Sequence, residues 1–225
     1  MRPVNKGIAP KAYADYREAQ PDLVAAIDRF CSYCGRFIAS GIHVEHKRPK
    51  DFYPDEELLW ANFLLSCHNC NSSKQSRQLR LNDYVWPDSD NTLRAFKHSK
   101  GGLVRVNRRL PKRLRRKASR TLFMLGLDKV PGAFRQPTDR DYRWRDRFEE
   151  WNKALVLRSQ LQEHDTPRQR GAIIVSANRG IFAIWMEVFA DYADIRTGLI
   201  SSFRGTDATS FDNSGNAVPR PGGQL

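Results

Sequence analysis

Two stretches decide how this chain reads: His43-Val44-Glu45-His46-Lys47-Arg48-Pro49, and Asn62-Phe63-Leu64-Leu65-Ser66-Cys67-His68-Asn69-Cys70-Asn71-Ser72-Ser73-Lys74. A close cysteine pair, Cys31-x2-Cys34, precedes the first, and a second pair, Cys67-x2-Cys70, lies inside the second; the chain has 4 cysteines in all. A Cys-x2-Cys turn puts two thiolates on one side of a tight knuckle, and two knuckles complete the tetrahedral sulfur shell that zinc prefers. In a reducing compartment such pairs favour metal over disulfides. Four unrelated buried thiols would rarely fall into two such pairs. The spacing predicts one structural Zn2+ held by Cys31, Cys34, Cys67 and Cys70, with Gly35 relieving the first turn.

Between and after the knuckles stand residues suited to hydrolysing a phosphodiester. A neutral imidazole can take a proton from water, which suits His46 as a general base. Glu45 and Asn71 supply oxygens, and hard ligands favour Mg2+ or Mn2+ over zinc at a second site, where the ion offsets charge on phosphate and leaving oxygen. A lone Glu-His pair is most often an ordinary surface pair. Its place between two knuckles, with Asn71 directly after the last cysteine, reverses that expectation. His43 shares a strand face with Glu45 in a supporting role, and an exposed position is expected for His68.

From Cys31 to Lys74, about a fifth of the chain, the sequence resembles the HNH endonuclease family: a knuckle, an acidic residue followed by His and shortly by Pro, an Asn before an apolar run, and a second knuckle followed by Asn and a downstream Lys. The resemblance implies a ββα-metal fold with Glu45 as acidic ligand, His46 as general base, Asn71 as second ligand of the catalytic ion and Asn62 as the residue that steadies the loop and the base. Glu at 45 and Asn at 71 depart modestly from the commonest Asp and His. Shorter strings, Met1 to Gly7, Asn62 to Cys67, Pro87-Asp88-Ser89-Asp90-Asn91-Thr92 and Arg220-Pro221-Gly222-Gly223, resemble the HNH subunits of Septu-type and retron-associated antiphage systems. That resemblance implies an ATPase partner.

The 38 Lys and Arg against 25 Asp and Glu leave a formal charge of +13, which points to a polyanionic partner such as DNA, RNA or an acidic membrane surface, with a well-solvated basic surface as the plain alternative; the partner expected is nucleic acid, DNA before RNA. Lys74, Arg77 and Arg80 follow Asn71 at spacings that could line a helix face toward phosphate. Leu110, Leu114, Ala118, Leu122 and Leu125 recur at helical spacing between Pro111 and Gly126, and the opposite face carries Arg113, Arg116 and Arg120. No stretch reads as a secretory signal or a membrane span, since the apolar run Ile181 to Ala190 is too short and holds Glu187. The expectation is a cytoplasmic protein with no membrane partner.

The chain reads as α+β: a ββα-metal core with zinc knuckles, followed by a mainly α-helical C-terminal region. Short helices are expected over Asp22 to Phe30 and His68 to Leu79, a strand or hairpin within Ile38 to His46, and a hairpin of Ala95 to Ser99 with Leu103 to Val106 around Lys100-Gly101-Gly102. Val130 to Thr138 is the best internal boundary. The division expected is a nuclease domain with zinc site and basic helix at 1–130, a helical partner-docking domain at 131–205, and an extended or poorly ordered tail at 206–225. Stripes at Trp144, Phe148, Trp151 and Leu155, and at Ile181, Ile184, Trp185, Val188, Phe189 and Tyr192, mark two long helices of the second domain. Two other readings explain part of the pattern: a non-catalytic zinc ribbon gripping nucleic acid through Arg105 to Arg120, and an assembly subunit with a decayed site.

Overall fold

A computed structural model describes residues 1–225. In chain order the elements are α1 (Ala19–Ile27), β1 (His43–His46), β2 (Phe63–Ser66), α2 (His68–Lys74), α3 (Thr92–Ala95), β3 (Phe96–Ser99), β4 (Leu103–Val106), α4 (Lys112–Leu125), α5 (Arg143–Glu163), α6 (Pro167–Ala177), α7 (Phe182–Val188) and α8 (Ala193–Ser202). The α+β reading holds: two small antiparallel sheets, β1-β2 and β3-β4, sit in the first half and the second half is helical.

The apolar run Phe63-Leu64-Leu65 is buried on every residue, with α1 packed against β2 and the first knuckle bonded to it through Ser32 N–H on the Leu65 carbonyl. Its partner β1 pairs His43 with Ser66 and His46 with Phe63. Several helix limits differ from those expected. Asp28 takes a positive φ of 58° and ends α1 three residues after Val24, so Phe30 leaves the helix and bridges Phe37 around the first knuckle. Gln75, at φ 57°, ends α2 at Lys74 instead of Leu79. The basic helix forms as read, with Pro111 at its N-cap and Gly126 in the left-handed conformation at its end, where the Leu127 N–H returns to the Leu122 carbonyl.

The stripe expected on α5 is only half right. Ala154 and Leu161 are its buried apolar residues, whereas Phe148 is exposed and the deepest polar side chains are Arg143 and Arg147. The reason is a close approach to the β3-β4 turn. Gly102 sits where a Cβ would meet the Trp144 carbonyl at 2.7 Å, while the Gly101 and Gly102 carbonyls accept from Trp144 Nε1 and Arg147 Nε, each at 2.8 Å. The second stripe also breaks: α7 stops at Val188, Tyr192 N–H turns back to the Phe189 carbonyl, and α8 begins at Ala193.

Two apolar clusters result, one of 29 buried residues around α1, β1-β2, the knuckles and α4, and one of 17 around α5 to α8. Phe30 and Leu93 from the first half belong to the second cluster, so packing runs across the boundary expected at 130–131. Residues 206–225 carry only a 3-10 turn at Ala208–Ser210, yet they are fastened: Asn91 Nδ2 donates to the Ser210 and Val218 carbonyls, and Gln224 N–H donates to Asp90. At the other end buried Arg2 donates to the carbonyls of Ile27, Phe203 and Arg204. Lys6 reaches the Trp60 carbonyl at 2.7 Å.

Asp88 lies between Lys47 at 2.7 Å and Lys6 at 3.1 Å, all three nearly inaccessible. Burial holds Lys6 down at about 8 despite the nearby carboxylate. Removing the carboxylate strands two buried ammonium groups, so Asp88→Asn should cost about 3–5 kcal/mol in urea unfolding. The unfolded chain, with Lys near 10.4, binds more protons than the fold between about 8 and 10.4, so this lysine's contribution to stability improves as pH rises through that window. The deficit of Asp88→Asn should therefore shrink above pH 8. A loss below about 1 kcal/mol at pH 7 would show that the triad is not what holds these segments.

Candidate nuclease site and cysteine centre

The four cysteine sulfurs are buried and all lie within 4.8 Å of one another. A Zn–S bond near 2.3 Å in a tetrahedron separates sulfurs by about 3.8 Å, and Cys34 Sγ and Cys67 Sγ are 3.8 Å apart. The first knuckle closes through Gly35 N–H on the Cys31 carbonyl, with Gly35 at φ 81°, and is pinned to β2 by Ser32 N–H on the Leu65 carbonyl. Cys67 is the N-cap of α2, and Cys70 lies in its first turn. Thiol hydrogen bonds from Cys31, Cys34 and Cys70 draw Cys67 down, while burial pushes Cys34 and Cys70 up. A divalent cation satisfies all four as thiolates, and the donor set fits zinc.

From α5, Arg143 Nη1 donates to Cys70 Sγ at 3.2 Å and to the Leu125 carbonyl at 2.7 Å, and Nη2 to Ser73 Oγ at 3.2 Å. No local pattern announces this residue, because 73 positions separate it from Cys70.

His46 closes β1 with its ring edge-on to Tyr16 and Phe63, centroids 4.9 and 5.2 Å away. Its Nε2 lies 2.8 Å from the Glu57 carbonyl. A carbonyl only accepts, so Nε2 carries the hydrogen and Nδ1 keeps its lone pair. Burial pushes the imidazole below the ordinary histidine value, and the ring is neutral near pH 7. Asn62 builds the support for that bond. Its Oδ1 accepts from Arg48 N–H at 2.8 Å, and its Nδ2 donates to the Arg48 carbonyl at 2.9 Å and the Glu56 carbonyl at 3.1 Å. One amide thus ties the loop after His46 to the turn that offers the Glu57 carbonyl.

Glu45 points to the other face of the ribbon, as strand alternation requires. It is 4% exposed and paired with Lys74 at 2.8 Å; Lys74 Nζ also donates to the His46 carbonyl at 2.7 Å. Burial raises the Glu45 carboxyl and the Lys74 ammonium offsets part of that rise. Asn71 is half-buried one turn before Lys74 on the same face of α2. Glu45 and Asn71 are oxygen donors of the kind a hard divalent ion takes, although here Glu45 is covered and its charge is met by Lys74.

Lys74 is a correction to the sequence reading: it is 2% exposed and holds the ribbon together, so it does not lie on a phosphate-facing surface. Arg80, Arg113 and Arg116 are exposed and Arg77 is partly so. Arg120 is exposed but engaged with Asp83 at 3.1 Å. His68 is exposed, as expected, and its ring lies 6.2 Å from that of His43.

The HNH endonuclease family model matches residues 31–77. The chain therefore carries an HNH domain over about a fifth of its length, with its cysteine centre inside the matched span. No curated protein matches the chain. No helix is long and apolar enough to cross a membrane.

The cysteine centre gives a direct check. Protein purified without chelator should contain one zinc per chain by elemental analysis, and Cys67→Ser should lose the metal and soluble folded protein together, because binding energy at such sites is folding energy. A folded Cys67→Ser chain, with no zinc in either protein, would remove zinc from the fold.

Proposed function

We propose that this chain is a divalent-metal-dependent endonuclease that hydrolyses phosphodiester bonds in nucleic acid, DNA before RNA, with His46 as general base. The observation that carries the reading is the His46 ring inside the HNH span: neutral near pH 7 and fixed through Nε2 on the Glu57 carbonyl, with Nδ1 left to accept a proton. Water gives a proton to Nδ1 and attacks the phosphorus, the bond to the leaving 3′ oxygen breaks, and that oxygen takes a proton from solvent water to become the 3′ hydroxyl. Asn62 positions the base through the Glu56–Glu57 turn. Glu45 and Asn71 are the residues that would hold Mg2+ or Mn2+, an ion that supplies charge offset to the phosphate and the departing oxygen. The exposed Arg80, Arg113 and Arg116, with Arg77, add phosphate affinity that is independent of sequence.

The finer assignment is to an antiphage nuclease that works beside an ATPase, with residues 131–205 as the docking part. It is supported by the strings shared with Septu-type and retron-associated subunits. Residues of those strings are fasteners here: Lys6 and Asp88 tie the N-terminal segment to Trp60 and Lys47 of the HNH span, while Arg2, Asn91 and Arg220 tie the two chain ends to α1, to the end of α8, to residues 87–91 and to each other, the last through the Val4 and Pro87 carbonyls. A chain built on the same clamp would keep the same strings.

The covered Glu45–Lys74 pair favours a second reading, a zinc module that binds nucleic acid without cutting it. One experiment separates the two. Under the nuclease reading His46→Ala keeps nucleic-acid binding and loses about 10²- to 10⁴-fold in turnover, while Glu45→Ala and Asn71→Ala are partly restored by excess Mg2+ or Mn2+. The products carry a 5′ phosphate and a 3′ hydroxyl. Absence of cleavage by the wild-type chain with either ion, on single and double strands of DNA and RNA, would leave the binding module.

A further inference from the structure

A groove of about 520 Å3 runs along the outer side of α2, lined on that wall by His68, Ser72 and, just past the helix, Arg77, and on the other by Phe123, Lys129 and Arg140. The two walls are tied by Asn69 Nδ2, which donates to the Arg140 carbonyl at 3.1 Å. Its charges are unevenly matched. Arg135 is held by Asp128 at 2.7 Å, and the groove's one carboxylate, Asp141, is held by Arg143 at 2.7 Å. Arg77, whose guanidinium meets only the neutral Gln75 amide, and Lys129 and Arg140 are left without an acidic partner.

One aromatic ring lines the groove, and a second is exposed in the loop that supplies Arg135 and Thr138 to its wall. Phe123 is 60% exposed beneath the Arg135 guanidinium, which lies 3.7 Å from its centroid. Phe134, the residue before Arg135, is completely exposed in the Val130 to Thr138 loop. A single exposed apolar side chain needs no explanation. A groove with three uncompensated cations and Phe123 in its wall, bordered by the loop that exposes Phe134, has the composition by which proteins hold an unpaired strand, with cations on successive phosphates and rings against base faces. The larger cavity, about 730 Å3 between Arg94, Arg109 and Met186, is also basic but has no aromatic wall, and its Lys97 is taken by Glu187.

We infer that this groove receives single-stranded nucleic acid, with phosphates on Arg77, Lys129 and Arg140 and an unpaired base stacked on Phe134, and that the strand reaches the cleavage centre across α2. The inference rests on the nuclease reading and names its substrate class. Duplex bases are already stacked, so Phe134 has nothing to gain from them. The first turn of α2 lies between groove and ribbon: His68 lines the groove and stands beside His43 of β1, and Asn71 follows three residues later.

The test measures anisotropy of a fluorescein-labelled single-stranded oligonucleotide and of its duplex, with the full His46→Ala chain or with the wild-type chain free of added divalent ion. The single strand should bind more tightly. Phe134→Ala should weaken single-strand binding about tenfold and leave the duplex and the salt slope unchanged. Changing Arg77, Lys129 and Arg140 together to Ala should lower the slope of log affinity against log salt by about two, near 0.7 per phosphate contact. All four side chains are at least partly exposed, so the variants keep the fold, which circular dichroism verifies. If wild-type chain cleaves nucleic acid but binding ignores both sets of changes, the inference falls alone, and Phe134 becomes a contact for a protein. If the chain neither binds nor cleaves, the nuclease reading falls with it.

Discussion

Four sulfurs crowded within 4.8 Å in the interior impose the condition that the rest of the molecule meets. Apolar surroundings cannot hold several thiolates, and a divalent ion with cationic neighbours can. The fold supplies those neighbours from distant sequence: Arg143 on Cys70 Sγ, and Arg36, whose guanidinium is raised by Cys67 and Cys34 against its own burial. Because Cys67 opens α2 and Cys70 lies in its first turn, the same centre fixes where Asn71 and Lys74 face. Arg143 belongs to α5, so the helical second half is attached to the HNH domain at the metal site and not merely through a linker.

Polar fasteners complete what the cysteines begin. Arg2, Lys6, Lys47 and Asp88 are buried charges, each with named partners, and breaking one partner of such a group costs far more than the pair contributes relative to an apolar replacement. They place the N-terminal segment against the loop beside the site: Lys47 follows His46 directly, and Lys6 holds the carbonyl of Trp60, two residues before Asn62. The loop around the candidate base is thus braced by the N-terminal segment as well as by its own ribbon.

How much of this could be read in sequence follows from the range of the interactions. Knuckle spacing and the capped basic helix are local signals, and each appears where it was expected. Lys74 could not be placed, because helical spacing says which face a residue occupies but not that the face abuts a strand carrying a carboxylate. The α5 stripe misled for a related reason: Trp144 and Phe148 lie over a glycine turn 42 or more positions upstream with their backbone in close approach, and the buried side chain there is Arg147, whose Nε donates to the Gly102 carbonyl. The tail from 206 has a composition typical of disorder, yet its order comes from side chains outside it, such as Asn91.

The Glu45–Lys74 pair explains why the lysine is turned inward and not toward a phosphate-facing surface. A carboxylate this deeply covered must have a cation beside it, and a buried ammonium must have an anion, so neither can be released alone. Without Lys74 the Glu45 carboxyl, already raised by burial, would be driven toward its protonated form, and without Glu45 the Lys74 ammonium would be left buried without its counter-charge. Loss of one partner leaves a cost of several kcal/mol on the order of that for any broken buried pair. His46 needs no such counter-charge, since its Nε2 bond to Glu57 is already made. The ribbon thus holds a fixed imidazole on one face and a closed carboxylate–ammonium pair on the other.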